Sequence, residues 1–159
     1  MAVAITLQEY LDDRHVDYDV VTHPHTESAI ETAAASHIAG ERIAKAVLLK
    51  GDDGYLLAVL PASHRIQLHD LEDWLQQNLA LATEAEIGEL FGDCDLGAVP
   101  AIGAAYGVNV IFDDSLTSQP DVYFEGGDHA SLVRVTSERF ERLMGDARRA
   151  RFGVAEAAI

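Results

Sequence analysis

Lysine occurs only twice in the chain, as Lys45 and Lys50, and both lie in GERIAKAVLLKGDDGYLLAVLP (40–61). Lys45 stands inside an apolar run with strand character. Alternate residues of a strand share a face, so Lys45 lies with Val47 and Leu49. Lys50 is at the strand end and reaches solvent. A buried ammonium without a partner is costly, so Lys45 is paired, neutral or lining a cavity. The alternative is a stem that runs outward from the start of the strand and leaves the charge in water.

Three further stretches hold groups that could join it. GAVPAIGAAYG carries Gly97, Gly103 and Gly107, which let a backbone turn tightly or approach a ligand. Its spacing is neither G-x-G-x-x-G nor a P-loop. VIFDDSL ends a strand with Asp113 and Asp114, a pair that equally suits a solvated turn or a helix cap. EGGDHASLVRV sets His129 after two glycines and before a strand, where a histidine is catalytic, structural or solvated. Other chemistries find less support. His23 and His25 lack companions at zinc-site spacing, and no metal is expected. Cys94 has no visible partner and reads as a small buried hydrophobe. No G-x-S-x-G is present. The arginines of RFERLMGDARRARF read as a solvated helix end.

These residues need strands to carry them. YDVVTH (18–23), AKAVLLK (44–50), YLLAVLP (55–61), VNVIF (108–112), VYFE (122–125) and LVRV (132–135) have the composition of strands. GDDG joins the second and third as a hairpin, and both are apolar on both faces, as central strands are. Helices are expected at LQEYLDDRH, behind a capping box Thr6–Glu9, and at ESAIETAAASHI, capped by Thr26 and broken by Gly40. Asp70 opens a third, Thr83–Glu86 forms a second capping box, and SERFERLMGDA closes the chain. The stretch 91–107 is a loop too rich in Gly and Ala for a regular element. The fold expected is α+β, one domain over 1–159, with a strand core and peripheral helices.

The chain has 159 residues, 48% hydrophobic and 24% charged, as a soluble globular domain has. No apolar run approaches a membrane span, and the N-terminus lacks the basic start of a signal peptide. A single cysteine forms no internal disulfide, and a cytoplasmic protein is expected. The net charge is −16, from 27 acidic and 11 basic residues. That opposes non-specific binding to nucleic-acid phosphates, and no DNA partner is expected.

HPHTESAIETAAA, ERIAKAVLLK, LLAVLPASHRIQL, GAVPAIG, VIFDDSL and GGDHASLVRV occur in the order seen in the YbaK/aminoacyl-tRNA deacylase family, which the chain resembles over about residues 15–145. The family includes free-standing trans-editing proteins and the editing domain inserted in prolyl-tRNA synthetases. The resemblance implies a single YbaK-like domain with a mixed, mainly antiparallel sheet or barrel core. It implies hydrolysis of the ester between a wrong amino acid and the 3′-terminal adenosine of tRNA, without a cofactor. Lys45 matches the family's functional lysine, expected to hold the terminal nucleotide or its phosphate. Gly103 matches the glycine whose backbone positions the aminoacyl carbonyl. Asp113 and His129 are expected to line the pocket, and Thr26 falls near the aminoacyl group.

An aminoacyl ester is activated, so positioning it beside a water and a ribose hydroxyl could carry much of the rate. Amides of the 97–107 loop could stabilise the oxyanion. Ala101, Ala104 and Ala105 suggest a small amino acid. A charge of −16 opposes capture of a polyanion, so an arginine patch, delivery by a synthetase or elongation factor, or screening salt is required. The competing reading is a non-catalytic module that binds a nucleotide-like or aminoacyl small molecule. A third is an interaction domain with a vestigial pocket.

Overall fold

The computed structural model describes residues 3–155. In chain order these form α1 (Ile5–Asp13), β1 (Asp19–Thr22), α2 (Ala29–Ser36), β2 (Ile43–Gly51), β3 (Gly54–Pro61), β4 (His64–Ile66), α3 (Leu68–Leu75), β5 (Ala80–Leu81), α4 (Glu84–Leu90), β6 (Asn109–Asp113), β7 (Asp121–Glu125), β8 (Ser131–Thr136), α5 (Ser137–Met144), β9 (Arg148–Ala150) and β10 (Gly153–Ala155). The main sheet runs β1-β8-β7-β2-β3-β6-β9, with β5 also on β2, and β4 pairs β10 separately. The β1–β8, β8–β7, β2–β3, β2–β5 and β4–β10 pairs are antiparallel, whereas β7–β2, β3–β6 and β6–β9 are parallel. The architecture is the expected α+β one, with a mixed, mainly antiparallel sheet.

β2 and β3 are central, and their continuous apolar character has a direct cause. Leu48, Leu57 and Val59 face one core, against α1, α5 and the 91–107 stretch. Leu49, Ala58 and Leu60 face the other, with Leu71 of α3, Ile111 and Phe152. Alternation survives, but both faces are covered, so the run between Lys45 and Lys50 and the whole of Leu56–Pro61 are apolar. The hairpin turn is Asp52–Asp53, and Gly54 at φ 116° absorbs the backbone conformation a side chain would resist. Ala33 of α2 packs on Ile43, Ala62 and Leu132 in a third, smaller cluster, which seats α2 on the β2–β7–β8 face.

Several local signals act differently from expectation. No capping box forms at Thr6: α1 starts behind Ala4, and Thr6 donates its amide to Asp93 Oδ2 at 2.8 Å. A remote carboxylate supplies the acceptor that the helix start lacks. Ser28, not Thr26, caps α2, accepting from the Glu31 amide. That helix ends at Ser36 through His37 in the left-handed conformation, before Gly40 is reached. α3 begins at Leu68, and Asp70 lies in its first turn, where a carboxylate suits the helix dipole. The box at Thr83 and Glu86 forms in both halves. α5 does not close the chain. Arg148 and Arg149 belong to β9, an edge strand on β6.

Candidate active site

Lys45 reaches its surroundings from the parallel junction of β2 and β7. Ile43 pairs with Tyr123 and Ala44 with Phe124, so the next step of the register sets Lys45 beside Glu125 on one face. Glu125 in turn pairs with Leu132 of β8. Beneath the start of α2 this face forms a cavity of about 170 Å³. Its walls are Glu27, Ser28, Ala29 and Thr32, then Ile43 to Ala46, Gly97 and Val99, and Glu125, His129 and Leu132. Lys50, the other lysine, is exposed and bound to Glu86 at 2.9 Å, far along the strand. Lys45 therefore lines a cavity and does not simply extend into solvent.

The loop after β7 assembles the site. Glu125 Oε2 accepts three successive amides, from Gly127 at 2.9 Å and from Asp128 and His129 at 3.2 Å each. Asp128 accepts from the Ala130 amide and the Ser131 hydroxyl. These bonds hold His129 at φ 61°, a left-handed conformation that a free chain seldom adopts. His129 is 7% exposed, and its Nε2–H donates to the Leu96 carbonyl at 2.7 Å. That bond draws the loop onto Gly97, which is itself at φ 83°. The Thr26 amide donates to the His129 carbonyl at 3.1 Å, and the rings of His25 and His129 lie 5.2 Å apart. One loop thus binds both other loop segments of the cavity.

The expected site residues divide. Lys45 and His129 line the same cavity. Thr26 stands just behind it, its hydroxyl 2.6 Å from that of Thr32, which does line it. Gly103 lies in the core: a Cβ there would stand 2.6 Å from Val110 Cγ2 and 2.8 Å from the Val108 carbonyl. Asp113 is 1% exposed and faces the C-terminal segment. Its Oδ1 accepts from the amide and hydroxyl of Ser115, and its Oδ2 from the Phe152 and Gly153 amides at 3.1 and 2.7 Å. Burial pushes this carboxyl up, but the four donors outweigh it and hold it below the usual range.

Ala101, Ala104 and Ala105 also lie outside the cavity, so the small amino acid they suggested loses its basis. Cys94 is half-buried, 3.4 Å from the Tyr106 hydroxyl, and burial pushes its thiol up to about 11. Such a thiol is a poor nucleophile. The residues not anticipated are Glu27, Ser28 and above all Glu125, whereas Gly97 and Val99 belong to the loop expected to approach a ligand. The glycines after Glu125 were a usable signal, since they let three amides turn toward one oxygen. Among the described residues no cluster of three or more His, Cys, Asp or Glu could hold a metal ion, and no helix is long and apolar enough to cross a membrane.

A larger hollow of about 590 Å³ lies between β3, β6 and β9, lined by Tyr55, Asn109, Met144 and Arg148 among others. It contains neither Lys45 nor His129. Five of the nine arginines are committed to carboxylates among the described residues. Arg42 and Arg134 share Asp121, Arg134 also binds Asp19, Arg139 binds Asp17, and Arg149 and Arg151 bind Asp114.

Comparison with known proteins adds kinship to this geometry. A proline–tRNA ligase of Thermosipho melanesiensis is 26% identical over 109 residues, 68% of this chain. The chain spans only 19% of that ligase's length. A solved structure of a candidate trans-editing enzyme for prolyl tRNA synthetase superposes with a TM-score of 0.81 at 28% identity, covering 97% of each chain. The hypothetical protein APE2540 shares the fold, with a TM-score of 0.82 at 21% identity over 94% of this chain and 99% of that one. The aminoacyl-tRNA editing domain family matches residues 23–143, and this chain belongs to that family.

Proposed function

We propose that the chain is a trans-acting deacylase that hydrolyses the ester joining a wrong amino acid to the 3′ end of tRNA. The observation that carries this reading is the single cavity uniting Lys45, His129 and the Gly97 loop in an editing-family chain. The Lys45 ammonium suits the anionic phosphate of the terminal nucleotide, and that phosphate suits a cation on an apolar strand. The amides of Gly97 and Val99 donate to no acceptor among the described residues, and both line the cavity. They are the donors best placed to receive an oxyanion.

In this reading water attacks the ester carbonyl carbon. The tetrahedral intermediate expels the ribose oxygen, which takes up the proton the water loses, directly or through the neighbouring ribose hydroxyl. The products are a free amino acid and tRNA with a free 3′ end. No serine or cysteine nucleophile is used, in keeping with the raised thiol of Cys94. Lys45 and His129 position the substrate, and Thr26 supports the wall through Thr32. Gly103 and Asp113 act on the fold that carries the loop.

Arginines already paired to carboxylates give little support to a tRNA-binding patch, so screening or a delivering partner, a synthetase or elongation factor, fits the charge better. The same charge favours the second reading, a pocket that binds an aminoacyl or nucleotide-like small molecule without turnover. The deciding experiment is deacylation of a panel of mischarged tRNAs (Ala, Ser, Cys and Thr on tRNAs for Pro, Ala, Thr and Lys) at low and high salt, with Lys45→Ala beside the wild type. The relatives make tRNA for proline the first acceptor to try. Hydrolysis lost in the variant supports the deacylase. Survival of every pair at all salt concentrations rejects it.

A further inference from the structure

The segment 92–97, which ends at the cavity wall, has little apolar anchorage. Gly92, Asp93, Asp95, Leu96 and Gly97 are exposed and Cys94 is half-buried, so hydrogen bonds must fix its place. Two of these bonds join it to the loop after β7. The Asp95 amide donates to the Gly127 carbonyl at 2.8 Å, and the Leu96 carbonyl accepts from His129. Two more run through one side chain. Asp93 Oδ2 accepts from the Thr6 amide at 2.8 Å, and Oδ1 accepts from the Tyr106 hydroxyl at 2.9 Å. The start of α1 also holds the loop after β7, since the Ala4 amide donates to the Gly126 carbonyl at 2.8 Å. Amides that a helix start leaves without an intrahelical acceptor thus bond both loops that meet beside Gly97.

The neighbours of Asp93 have anchors of their own. Leu7 and Leu11 are fully buried and seat α1, and the Tyr106 ring packs on Phe91 with centroids 4.8 Å apart. Phe91 and Ala98, both buried, hold the two ends of the segment. What the carboxylate adds is the position of the chain between them. We propose that Asp93 is a positioning residue for ester hydrolysis, which sets the Gly97 and Val99 amides at the distance from His129 where they receive the oxyanion. This inference rests on the ester-hydrolase reading above. Thr6 lies outside the matched span 23–143, so a segment beyond that span completes the site. An amide displaced by about 1 Å loses most of its hold on an oxyanion, while the ground-state ester is still held by the other walls. The loss therefore falls on kcat and not on KM.

The test uses the full chain and the pair cleaved fastest in the panel. Asp93→Ala removes both acceptors. Its kcat should fall by about 10- to 100-fold with KM within about twofold of the wild type, at a temperature where circular dichroism shows it folded. Asp93→Asn is the conservative variant. Its carbonyl can take the Thr6 amide while its NH2 donates to the Tyr106 hydroxyl, which accepts as well as donates, so kcat should return to within about threefold of the wild type. An Asp93→Ala variant with a lower melting temperature but an unchanged kcat would make the bonds structural and overturn the proposal. A rise in KM alone would overturn it too, by placing Asp93 against the substrate, as would an Asn variant no faster than Ala. Should Asp93→Ala fail to fold, Tyr106→Phe decides: it keeps the ring on Phe91, removes one donor and should lower kcat by about 3- to 10-fold. An unchanged kcat there would overturn the proposal. Each of these results leaves deacylation by the wild type standing. A wild type that cleaves no pair overturns the hydrolase reading, and this inference with it.

Discussion

The His129 ring donates from Nε2 to the Leu96 carbonyl at 2.7 Å, joining two loops 33 residues apart in sequence. The bond fixes the ring and shapes the Gly97 wall together. His129→Asn tolerates the left-handed backbone but cannot reach Leu96 in the same way. Deacylation should fall by roughly 10- to 100-fold, as for a misplaced wall, with a melting temperature close to the wild type. Steady-state rates beside a thermal melt check this. A variant with full activity would remove His129 from the site.

Lys45→Ala deletes the cation proposed to hold the substrate phosphate. Loss of such a partner costs about 2–4 kcal/mol, or roughly 30- to 1000-fold in kcat/KM. Lys45 is half-buried and lines the cavity, and its loss leaves the β2–β3 backbone ladder in place, so the fold should survive. Circular dichroism and a binding assay separate the outcomes. An unfolded variant would make Lys45 structural.

Gly103 separates packing from catalysis. Gly103→Ala places a methyl group 2.8 Å from a backbone carbonyl, which cannot move aside cheaply. The expected cost is about 1–3 kcal/mol in stability. Urea unfolding measures it. An Ala variant as stable as wild type yet unable to cleave esters would place Gly103 against the substrate instead.

Asp113 accepts from four donors, two on each oxygen. Asn cannot accept at both positions, so Asp113→Asn sets an NH2 against two amides and should cost about 2–3 kcal/mol. The folded carboxyls of Asp113 and Asp121 are both held low. Burial raises each, and donors outweigh it: Ser115 and backbone amides for Asp113, the Arg42 and Arg134 guanidiniums for Asp121. A depressed folded pKa contributes stability above the unfolded value of about 4 that is lost as pH falls through the folded one. Melting temperature should therefore drop steeply below about pH 4, and Asp113→Asn should flatten that drop. An unchanged slope in the variant would assign the acid sensitivity elsewhere.

Ionic strength should act opposite to its effect on most nucleic-acid binders. With a charge of −16, salt screens repulsion between protein and tRNA, so kcat/KM for mischarged tRNA should rise from low to physiological salt. A short aminoacyl-nucleoside ester should respond less. A steep fall with salt would reveal a basic tRNA-binding surface.

The sequence made the central elements legible because their signals are local. β2, β3 and the turn between them follow from apolar runs around GDDG, and Thr83–Glu86 caps α4 by neighbours alone. It failed where the partner is distant. Thr6 resembled a cap, but the acceptor at that helix start comes from Asp93. β9 and β10 have three residues each, too few for alternation to register. In the site, Lys45 and His129 stood out as a rare cation in an apolar strand and a glycine-flanked ring. Gly103 and Asp113 carry the same residue types a pocket would use, and only packing shows that one fits under Val110 and the other under the C-terminal amides. Glu125 announced itself only through the glycines that follow it, because a glutamate at a strand end is ordinary until three amides converge on it.

Asp113 also determines where the domain can be cut. The family match ends at residue 143, yet the amides that satisfy this carboxylate belong to Phe152 and Gly153. A fragment trimmed to the matched span would expose an anion prepared for donors it no longer possesses, and would free an edge of β6 that β9 now covers. Transplanting this pocket into another protein therefore requires carrying the tail along, although none of the tail's described residues lines the cavity around Lys45.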